Sequence, residues 1–367
     1  MLKTIDECFY QIQNGANIKQ GNEEGGFPIT RIETIANDKF NRDRMGYAGI
    51  TDISKYESYI LESGDLLMSH INSVQYLGRT VLYVKKTNEI IIHGMNLLRL
   101  KARSDVINPA YARYCFYGRK FRSQISNITK KSVNQASFAV KDLKKIKIEV
   151  PLISKQDEIV EKITKVQQVI ELRKIELQLL DNLIKARFVE MFYDKGYSVF
   201  KWNDVFNTTT GKLDSNAAVE NGEYPFFTCS KEILRIDEFA FDQEALLLAG
   251  NNAAGKYDVK YYNGKFNAYQ RTYVLGLKEN WSYQLFRYQL EDKLVYLQRQ
   301  SLGGLTKYLT MKILGELDFI IPPMEKQIEF EEFAKQVDKS KVVVSTNIVY
   351  NIKRIKTEFL NYYFNEL

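Results

Sequence analysis

Residues 154–194, SKQDEIVEKITKVQQVIELRKIELQLLDNLIKARFVEMFYD, contain neither glycine nor proline and decide the fold of this 367-residue chain. Apolar residues recur there at alternating spacings of four and three, which is typical of the seam of a coiled coil. The seam consists of Ile159, Ile163, Val166, Ile170, Leu177, Leu180, Ile184 and Met191, with Arg173 and Arg187 interrupting it. A helix of about 40 residues is about 60 Å long, longer than the usual helix of a compact domain. We therefore predict a spacer helix, with an amphipathic core helix as the alternative.

A second copy of this helix occurs near the end of the sequence. Shifting the sequence by 171 residues superposes 141–192 on 312–363 without a gap, and the Pro-x4-Gln motif at 151–156 recurs at 322–327. Residues 324–367 again lack glycine and proline. Their looser apolar seam consists of Phe330, Ala334, Val337, Val344, Ile348, Ile355 and Phe359. We predict that the two helices pair antiparallel, which would place whatever precedes each helix at opposite ends.

The repeat predicts the domain organisation. We expect an α+β protein in which two α/β domains are separated by two long antiparallel coiled-coil helices, with an internal pseudo-twofold repeat. The predicted segments are a first domain (1–150), a central helix (151–196), a second domain (197–322) and a C-terminal helix (323–367).

Cysteine content and hydropathy indicate where the protein works. Cys8, Cys115 and Cys229 are odd in number and form no Cys-x-x-Cys pair, which favours a reducing cytoplasm over a disulfide framework. The opening MLKTIDECFY lacks the apolar core of a signal peptide. No run approaches the roughly 18 apolar residues that a membrane span requires. We expect a soluble, cytoplasmic protein without a membrane partner.

Positive charge is concentrated in the first domain. Residues 1–150 hold 23 Lys and Arg against 15 Asp and Glu, whereas residues 197–322 hold 14 against 15. A basic domain rich in Tyr, Asn and Arg indicates a polyanionic partner, with nucleic acid the first candidate, because phosphate contacts release counterions.

Loops of both domains combine polar, basic and aromatic side chains of the types that contact phosphates and base edges. In the first domain the DNA-binding candidates are Lys39, Asn41, Arg42, Arg44, Tyr47, His70, Asn72 and Arg79. In the second domain they are Asn251, Asn252, Lys256, Lys260, Tyr262, Lys265, Tyr269, Gln270 and Arg271. A solvated loop is the alternative for both sets. We favour DNA contact for the second set because it is locally basic within a nearly neutral domain.

No catalytic or metal-binding set assembles in the sequence. Gly250–Lys256 has the spacing of a phosphate-binding loop, but Tyr257 replaces the Ser or Thr that would meet Mg²⁺, and the next run of residues is strand-like. Asn108–Tyr111 resembles the tetrapeptide of adenine methyltransferases, yet no glycine-rich cofactor loop precedes it, so we interpret it as a helix start. His70 and His93, the only histidines, are far from any cysteine at ligand spacing. We predict no catalytic residue and no metal site.

The order of the segments carries a resemblance to a known family. Two variable domains, each followed by a Pro-x4-Gln motif and a long helix, resemble the specificity subunit of type I restriction-modification enzymes. The supporting motifs are GDLLMS (64–69), INPAYARYCF (107–116), VPLISKQDEI (150–159), NGEYPFF (221–227) and IPPMEKQIEF (321–330). Each motif is weak alone, but their repeated order across essentially the whole chain is specific.

The resemblance implies a non-catalytic DNA reader. Each α/β domain would be a target-recognition domain that contacts one half of a split, asymmetric site in double-stranded DNA, and the paired helices would fix the gap between the halves. The family also implies two methyltransferase subunits bound along the helices and restriction subunits in the larger complex. S-adenosylmethionine, ATP and Mg²⁺ would belong to those partners, and this chain would bind no cofactor.

Two other classes of function remain open. One is an enzyme with its own methyltransferase or nuclease centre, which the missing cofactor loop disfavours. The other is a coiled-coil adaptor without DNA specificity. Replacing Lys39, Arg42 and Arg44 by alanine would leave an adaptor working and cripple a DNA reader.

Overall fold

The computed structural model describes residues 1–21, 25–132, 135–253 and 255–354. The chain divides into a first unit, Met1–Lys174 with the chain from Thr346 onward, and a second unit, Ile175–Ser345. This division falls inside both long helices, so it partitions the chain differently from the four predicted segments. Those segment boundaries stay a prediction.

Short strands and helices build the first unit before its long helix begins. Its strands are β1 (Leu2–Thr4), β2 (Phe9–Asn14), β3 (Pro28–Ile29), β4 (Gly46–Tyr47), β5 (Leu66–Ser69), β6 (Ile71–Asn72), β7 (Thr80–Leu82), β8 (Leu97–Ala102), β9 (Lys130–Lys131), β10 (Ala136–Ser137) and β11 (Lys147–Glu149). Its helices are α1 (Ile5–Cys8), α2 (Pro109–Tyr117), α3 (Arg119–Ile128), α4 (Val140–Leu143) and the start of the long α5 (Ile153–Phe192). Short 3₁₀ segments occupy Ile32–Asp38, Arg42–Arg44, Ser54–Tyr59 and Val74–Tyr76.

An antiparallel four-stranded sheet in the order β2-β8-β5-β7 forms the centre of the first unit. Side chains alternate between its faces with period two. Leu66 and Met68 of β5 therefore face a core built with α2 and α3, whereas Leu67 joins a second cluster with Val81 and Leu97. Separately, β1 pairs with β11, which ties the first strand of the unit to the strand that precedes α5.

The helix predicted at Asn108-Pro109 forms as two pieces. Asn108 caps α2, where its side-chain oxygen accepts a hydrogen bond from the N–H of Ala110 (2.8 Å), and Pro109 occupies the first turn. The stretch 109–125, PAYARYCFYGRKFRSQI, predicts one continuous helix. In the structure Gly118 adopts an extended conformation (φ −66°, ψ 150°) and separates α2 from α3. The helix start is confirmed, and its continuity was wrong because a single glycine is a weak sequence signal for a break.

The second unit has a similar order of short strands and helices. They lie in the chain between the end of α5 and the start of α10. Its strands are β12 (Ser198–Lys201), β13 (Phe206–Thr210), β14 (Tyr224–Phe227), β15 (Leu234–Ile236), β16 (Phe241–Ala249), β17 (Asn251–Asn252), β18 (Val259–Ala268), β19 (Thr272–Leu277), β20 (Lys307–Tyr308) and β21 (Asp318–Ile321). Its helices are α6 (Trp202–Val205), α7 (Tyr283–Asp292), α8 (Leu294–Gln300), α9 (Met311–Gly315) and α10 (Met324–Arg354), with a 3₁₀ segment at Ser215–Ala217.

A six-stranded mixed sheet in the order β13-β19-β16-β18-β14-β15 forms the centre of the second unit. Its β14–β18 pairing is parallel, and the other pairings within the sheet are antiparallel. Leu246 and Leu248 of β16 pack with Phe286 of α7, while Leu247 packs with Phe266 on the opposite face. Strand β12 pairs with β21, as β1 pairs with β11 in the first unit.

Both predicted long helices form. Helix α5 spans 40 residues and ends at Phe192, within the predicted 151–196 segment, and α10 runs from Met324 through Arg354. Two predicted seam residues, Ile355 and Phe359, lie outside the described residues. Neither α5, α10 nor any other helix in the described part of the chain is long and apolar enough to cross a membrane.

Within the second unit, the end of α5 packs against the start of α10. The ring of Phe330 lies 5.7 Å from that of Phe188 and 5.6 Å from that of Phe192, measured between centroids. Closer to the N-terminal end of α5, Asp181 forms an ion pair with Lys341 of α10 (2.8 Å). The later residue of α10, Lys341, thus contacts the earlier residue of α5, Asp181, so the two helices run antiparallel in this unit.

The predicted seam residues have different packing partners along the helices. Ile159 and Ile163 are buried in the core of the first unit, with Val166 partly buried beside them. Ile184 and Val337 are buried in the cluster that joins α5 and α10 in the second unit, with Leu180 partly buried against it. Of the remaining seam residues, Ile170 and Val344 are buried, while Leu177 and Ile348 are half-buried.

Candidate nucleic-acid interface

A short ladder beside the first unit's sheet carries exposed positive charge. Strand β6 pairs with β10, and β10 pairs with β9. Strand β9 consists of Lys130 and Lys131, both exposed, and β6 ends at the predicted candidate Asn72. Strand β10 separates Asn72 from the two lysines, and together these side chains offer groups that can contact phosphates and base edges.

Two arginines hold the loop around Lys39 through Asp38. A carboxylate oxygen of Asp38 pairs with Nε of Arg79 at 3.1 Å, and the Asp38 carbonyl accepts a hydrogen bond from Arg113 (2.9 Å). The guanidinium of Arg79 also lies over the ring of Tyr76, 4.6 Å from its centroid. Arg79 therefore braces the loop, while the neighbouring Lys39 is exposed.

Exposed Lys39 lies at the rim of an open cleft of about 440 Å³ within the first unit. One wall of this cleft is the 37–40 loop, and the other is α5 at Gln167, Ile170 and Glu171. We name the exposed lysines Lys130 and Lys131 of β9, together with Asn72 of β6, the first-unit patch.

The candidate Arg42 has internal partners. Its guanidinium donates to both carboxylate oxygens of Glu89 (2.8 and 2.6 Å) and to the carbonyl of Val84 (2.9 Å). The hydroxyl of Tyr83 donates to the same carboxylate (2.9 Å). The hydrogen bond from Arg42 lowers the pKa of Glu89 to about 2. The structure thus gives Arg42 a bracing contact, which sequence alone could not show because Glu89 is 47 residues away.

This ion pair predicts acid sensitivity. The folded pKa of Glu89 lies below its ordinary value of 4.5, so its contribution to stability is present above pH 4.5 and is lost as the pH falls towards 2. We expect Glu89→Gln to lower the free energy of unfolding by about 1–2 kcal/mol at pH 7. In urea titrations the difference in free energy of unfolding between Glu89→Gln and the wild type should shrink as the pH falls from 4.5 to 2. A difference that is constant over this range would contradict the account.

Two other candidates beside Arg42 have local structural contacts. The Asn41 side chain accepts a hydrogen bond from the N–H of Asp43 (3.1 Å) and so begins the 3₁₀ turn. Tyr47 is half-buried in β4, opposite Pro28. Arg44 is exposed, so its side chain is accessible for a phosphate contact.

The two histidines are buried. His70 lies edge-on to Phe138, with 6.4 Å between ring centroids, and its burial lowers its pKa to about 4. The ring is therefore neutral at physiological pH, so it offers no positive charge to a phosphate. Burial likewise lowers the pKa of His93 to about 3, and its Nε2 is 2.9 Å from the carbonyl of Leu97.

Several loops of the second unit meet around Gly250. The N–H of Gly250 donates to the carbonyl of Arg271 (2.8 Å), and its carbonyl accepts from the N–H of Leu309 (2.8 Å). The N–H of Gln270 donates to the carbonyl of Leu213 (2.9 Å). A Cβ at Gly250 would overlap the Arg271 carbonyl, so only glycine permits this approach.

These contacts bring most of the second set of candidates together. Lys256, Gln270 and Arg271 are exposed around Gly250, with Asn251 and Asn252 half-buried in β17. Strand β17 pairs with β20, which brings in Lys307 opposite Asn252. Tyr269 is half-buried beside Gln270 and bridges to Leu213. We name Lys256, Gln270, Arg271, Lys307 and Asn252 the second-unit patch.

Three candidates of the second set have contacts elsewhere in the sheet. Lys260 pairs with Asp258 and donates to the carbonyl of Ser230 (2.8 Å). The ring of Tyr262 packs against Phe227, at 5.4 Å between centroids. Exposed Lys265 lies over the ring of Phe239, 4.6 Å from its centroid.

Sequence reasoning missed Lys130, Lys131 and Lys307. Lys307 lies on β20, which pairs directly with β17, the residues that follow the central strand β16. Lys130 and Lys131 lie on β9, which pairs with β10, and β10 in turn pairs with β6. The adjacent lysines of the first pair were a local signal of positive charge. Their place on the same ladder as Asn72 brings together residues about 60 positions apart, which local patterns do not reveal.

The element after Gly250–Lys256 excludes a phosphate-binding loop there. As predicted, this segment leads into a strand, β18, and not into a helix whose N-terminus could hold phosphates. Among the residues that the structure describes, no group of three or more His, Cys, Asp or Glu side chains could hold a metal ion.

Similar proteins supply the context for the two patches. The type I restriction enzyme MjaX specificity subunit of Methanocaldococcus jannaschii is 33% identical over 230 residues, which is 62% of this chain and 52% of that protein. The type I restriction enzyme EcoDI specificity subunit of Escherichia coli is 33% identical over 169 residues, 44% of this chain and 36% of that protein. The matched part thus spans about half of the first relative and about a third of the second.

Two solved structures share the fold over the full chain. The S subunit of a type I restriction-modification system from M. genitalium has a TM-score of 0.62 at 14% identity, covering 100% of this chain and 96% of that one. A structure that addresses complex assembly and conformational transition of the type I R-M system has a TM-score of 0.58 at 16% identity, covering 100% and 97%. At these identities the likeness concerns the mixed α/β fold.

One family model matches the sequence twice. Its description is type I restriction modification DNA specificity domain, and the matched residues are 3–182 and 194–364. Each match contains one of the two patches and the start of one long helix. The chain therefore belongs to the type I restriction modification DNA specificity family and carries two copies of the family's domain.

Proposed function

We propose that this chain is the DNA sequence-specificity subunit of a type I restriction-modification complex and reads a bipartite, asymmetric site in double-stranded DNA. The family is a non-catalytic DNA-recognition component of such complexes. The observation that carries the proposal is the double match of its DNA specificity domain, once in each half of the chain. Two different recognition domains in one chain suit a site with two different halves.

The two patches supply the chemistry for reading each half-site. Exposed lysines and Arg271 would contact phosphates and fix the register of each unit on the duplex. Amide side chains such as Asn72 and Gln270 can pair with base edges in the major groove. Binding through the lysines would weaken steeply with salt, because each phosphate contact releases counterions.

The paired helices would act as the spacer between the half-sites. We propose that α5 and α10 continue as an antiparallel coiled coil beyond the part that packs in the second unit, and that a pseudo-twofold axis relates the two domains. The contacts of Phe330 with Phe188 and of Lys341 with Asp181 support this pairing. A stiff rod of about 40 residues would hold the two reading surfaces about one or two helical turns of DNA apart.

The helices would also bind the methyltransferase subunits. On α5 within the second unit, Ile175, Leu179 and Leu183 recur every four residues and are 54%, 61% and 47% exposed. Residues four apart share one helix face, so this is an apolar stripe on the surface. A stripe of this kind fits the apolar centre of a protein interface.

A charge reversal on this stripe should disrupt the complex. We expect Leu179→Glu with Leu183→Glu to reduce recovery of the co-expressed methyltransferase subunit about tenfold, because burying two unpaired carboxylates in an interface is costly. The matched control is Gln178→Glu with Asn182→Glu, two exposed polar positions on the neighbouring face. Equal recovery with both double variants would exclude the stripe as the docking surface.

Catalysis and its cofactors would belong to partner subunits. We propose two methyltransferase subunits that bind S-adenosylmethionine, and restriction subunits that use ATP and Mg²⁺, with no cofactor held by this chain. The three free cysteines fit a cytoplasmic location.

The test is selection of DNA by the purified complex. This chain would be co-purified with the methyltransferase subunit encoded in the same genome and mixed with random duplexes, and the bound fraction sequenced. We expect a single bipartite motif with a fixed gap. Replacing exposed Lys39 and Arg44 by alanine should reduce DNA recovery while leaving the complex assembled. No enriched motif together with an assembled complex would favour the coiled-coil adaptor.

A further inference from the structure

A buried glutamine ties the start of each long helix to its own unit. In the first unit Gln156 is 0% exposed. Its Oε1 accepts a hydrogen bond from the N–H of Asn108 (2.8 Å), and its Nε2 donates to the carbonyls of Val106 (3.0 Å) and Pro151 (2.8 Å). One amide therefore joins the turn before α2 to the turn before α5.

The second unit makes the same arrangement with different neighbours. Gln327 is 1% exposed. Its Oε1 accepts from the N–H of Ser282 (2.9 Å), and its Nε2 donates to the carbonyl of Pro322 (2.8 Å). Ser282 caps α7 as Asn108 caps α2. In both copies of the Pro-x4-Gln motif, the glutamine amide thus donates a hydrogen bond to the carbonyl of the motif's own proline.

A second contact farther along fixes the direction of each pair of helices. In the first unit Tyr114 of α2 donates its hydroxyl hydrogen to Oε1 of Gln167 on α5 (3.0 Å). In the second unit Tyr288 of α7 donates to a carboxylate oxygen of Asp338 on α10 (2.9 Å). In both units the tyrosine comes six residues after the capping residue, about 9 Å along the helix. Contacts at two separated points prevent the pivoting that a single point would allow.

We propose that Gln156 and Gln327 are positioning residues that set the angle of each recognition surface on its long helix, and thereby the gap between the half-sites. This inference rests on the proposed function. The far side of a domain with a radius of gyration of about 13 Å lies about 25 Å from its helix, so a tilt of about 8° moves that surface by about 3.5 Å, one base-pair step. A small loss of angular order would therefore admit sites with a wrong gap.

The chemistry explains why the residue is glutamine. Its amide has one acceptor oxygen and two donor hydrogens, and the partners at both sites need an acceptor and a donor together. Leucine would fill similar space but leave the N–H of Asn108 or Ser282 and the proline carbonyl without this partner. Glutamate would keep the acceptor and the length of the side chain but lose the amide donors.

The experiment measures methylation against gap length. The complex with methyltransferase subunits would be given duplexes that carry both half-sites with the wild-type gap or with one base pair added or removed. We expect the wild type to prefer its own gap at least about tenfold. Gln156→Leu and Gln327→Leu should reduce this preference to about threefold or less. The glutamate variants should reduce it at least as far, because each would turn a buried carboxylate towards carbonyl oxygens. Gln168→Leu and Gln336→Leu, at exposed positions of the same helices, should match the wild type.

Base discrimination separates positioning from general damage. A base change within either half-site should reduce methylation as strongly in the leucine variants as in the wild type. The proposal is overturned if an assembled leucine variant keeps the tenfold preference, or if gap and base discrimination decline together. Should the leucine variants fail to assemble, Gln156→Asn and Gln327→Asn, which keep the amide but shorten the side chain by one methylene, decide by the same criteria. A wild-type complex with no gap preference would instead contradict the proposed function.

Discussion

Replacing Phe330 by alanine is expected to lower the free energy of unfolding of the second unit by about 3–5 kcal/mol, the usual cost of removing a buried phenylalanine ring. Phe330 is 0% exposed. Its ring contacts Phe188 and Phe192 of α5, and Tyr288 of α7 at 5.5 Å between centroids. Removing it would leave a cavity where the two long helices and the rest of the unit meet.

The measurement is urea unfolding of the full chain, combined with hydrogen exchange of amides in residues 175–192 of α5. Exchange should accelerate there by two to three orders of magnitude, because about 1.4 kcal/mol corresponds to a factor of ten. Ile328→Ala on the same helix is the matched control, since that side chain is 48% exposed, and should change stability by less than about 0.5 kcal/mol. Similar small effects for both variants would show that Phe330 does not join the helices.

The double variant Lys256→Ala with Arg271→Ala should weaken DNA binding by the complex about 60-fold at 0.1 M salt. Each phosphate contact contributes a slope of about −0.9 in the logarithm of affinity against the logarithm of salt concentration. Two lost contacts should therefore reduce the slope by about 1.8. The loss should be similar for cognate and altered sequences, because phosphate contacts carry no base information.

A control that removes the same charge isolates the effect of position. Lys201 pairs with Asp318 (2.8 Å), and Lys278 follows β19 at the end opposite Thr272, which borders the second-unit patch. Lys201→Ala with Lys278→Ala should change affinity less than about threefold, with an unchanged slope, since exposed ion pairs contribute little. If both double variants weakened binding equally, net charge and not the second-unit patch would be responsible.

The long helices could be predicted because their signal is local. A run of 40 residues without glycine or proline and with a regular apolar period is a strong local signal for a helix. The packing partners of the seam could not be predicted in the same way. Ile159 and Ile163 show a coiled-coil spacing, yet they pack in the core of the first unit. Periodicity indicates which face of a helix is apolar, but not which element covers it.

The candidate interface was predictable in composition and not in detail. The second-unit patch contains Lys256, Gln270 and Arg271, which the sequence already singled out as a polar and basic cluster. Arg42 has the same composition signal, but the distant carboxylate of Glu89 holds it. Similarly, burial of His70 depends on the packing of Phe138 against it. Such long-range partners decide whether a basic residue is available to DNA, and a local pattern contains no information about them.

The repeated glutamines could be identified from the sequence, but their role could not. The Pro-x4-Gln motif was visible in the sequence as a repeat, whereas its role depends on Asn108 and Ser282, which lie 48 and 45 residues earlier. The sequence marked the residue, and the fold explains why it recurs.

The methylome of the host, sequenced with and without this gene, tests the central claim most directly. The account predicts that deleting the gene removes methylation from one bipartite motif with a fixed gap, and that restoring the gene restores it. That result would reveal both half-sites at once. A methylome that is unchanged by the deletion, in cells that still express the methyltransferase subunit, would contradict the role in DNA specificity.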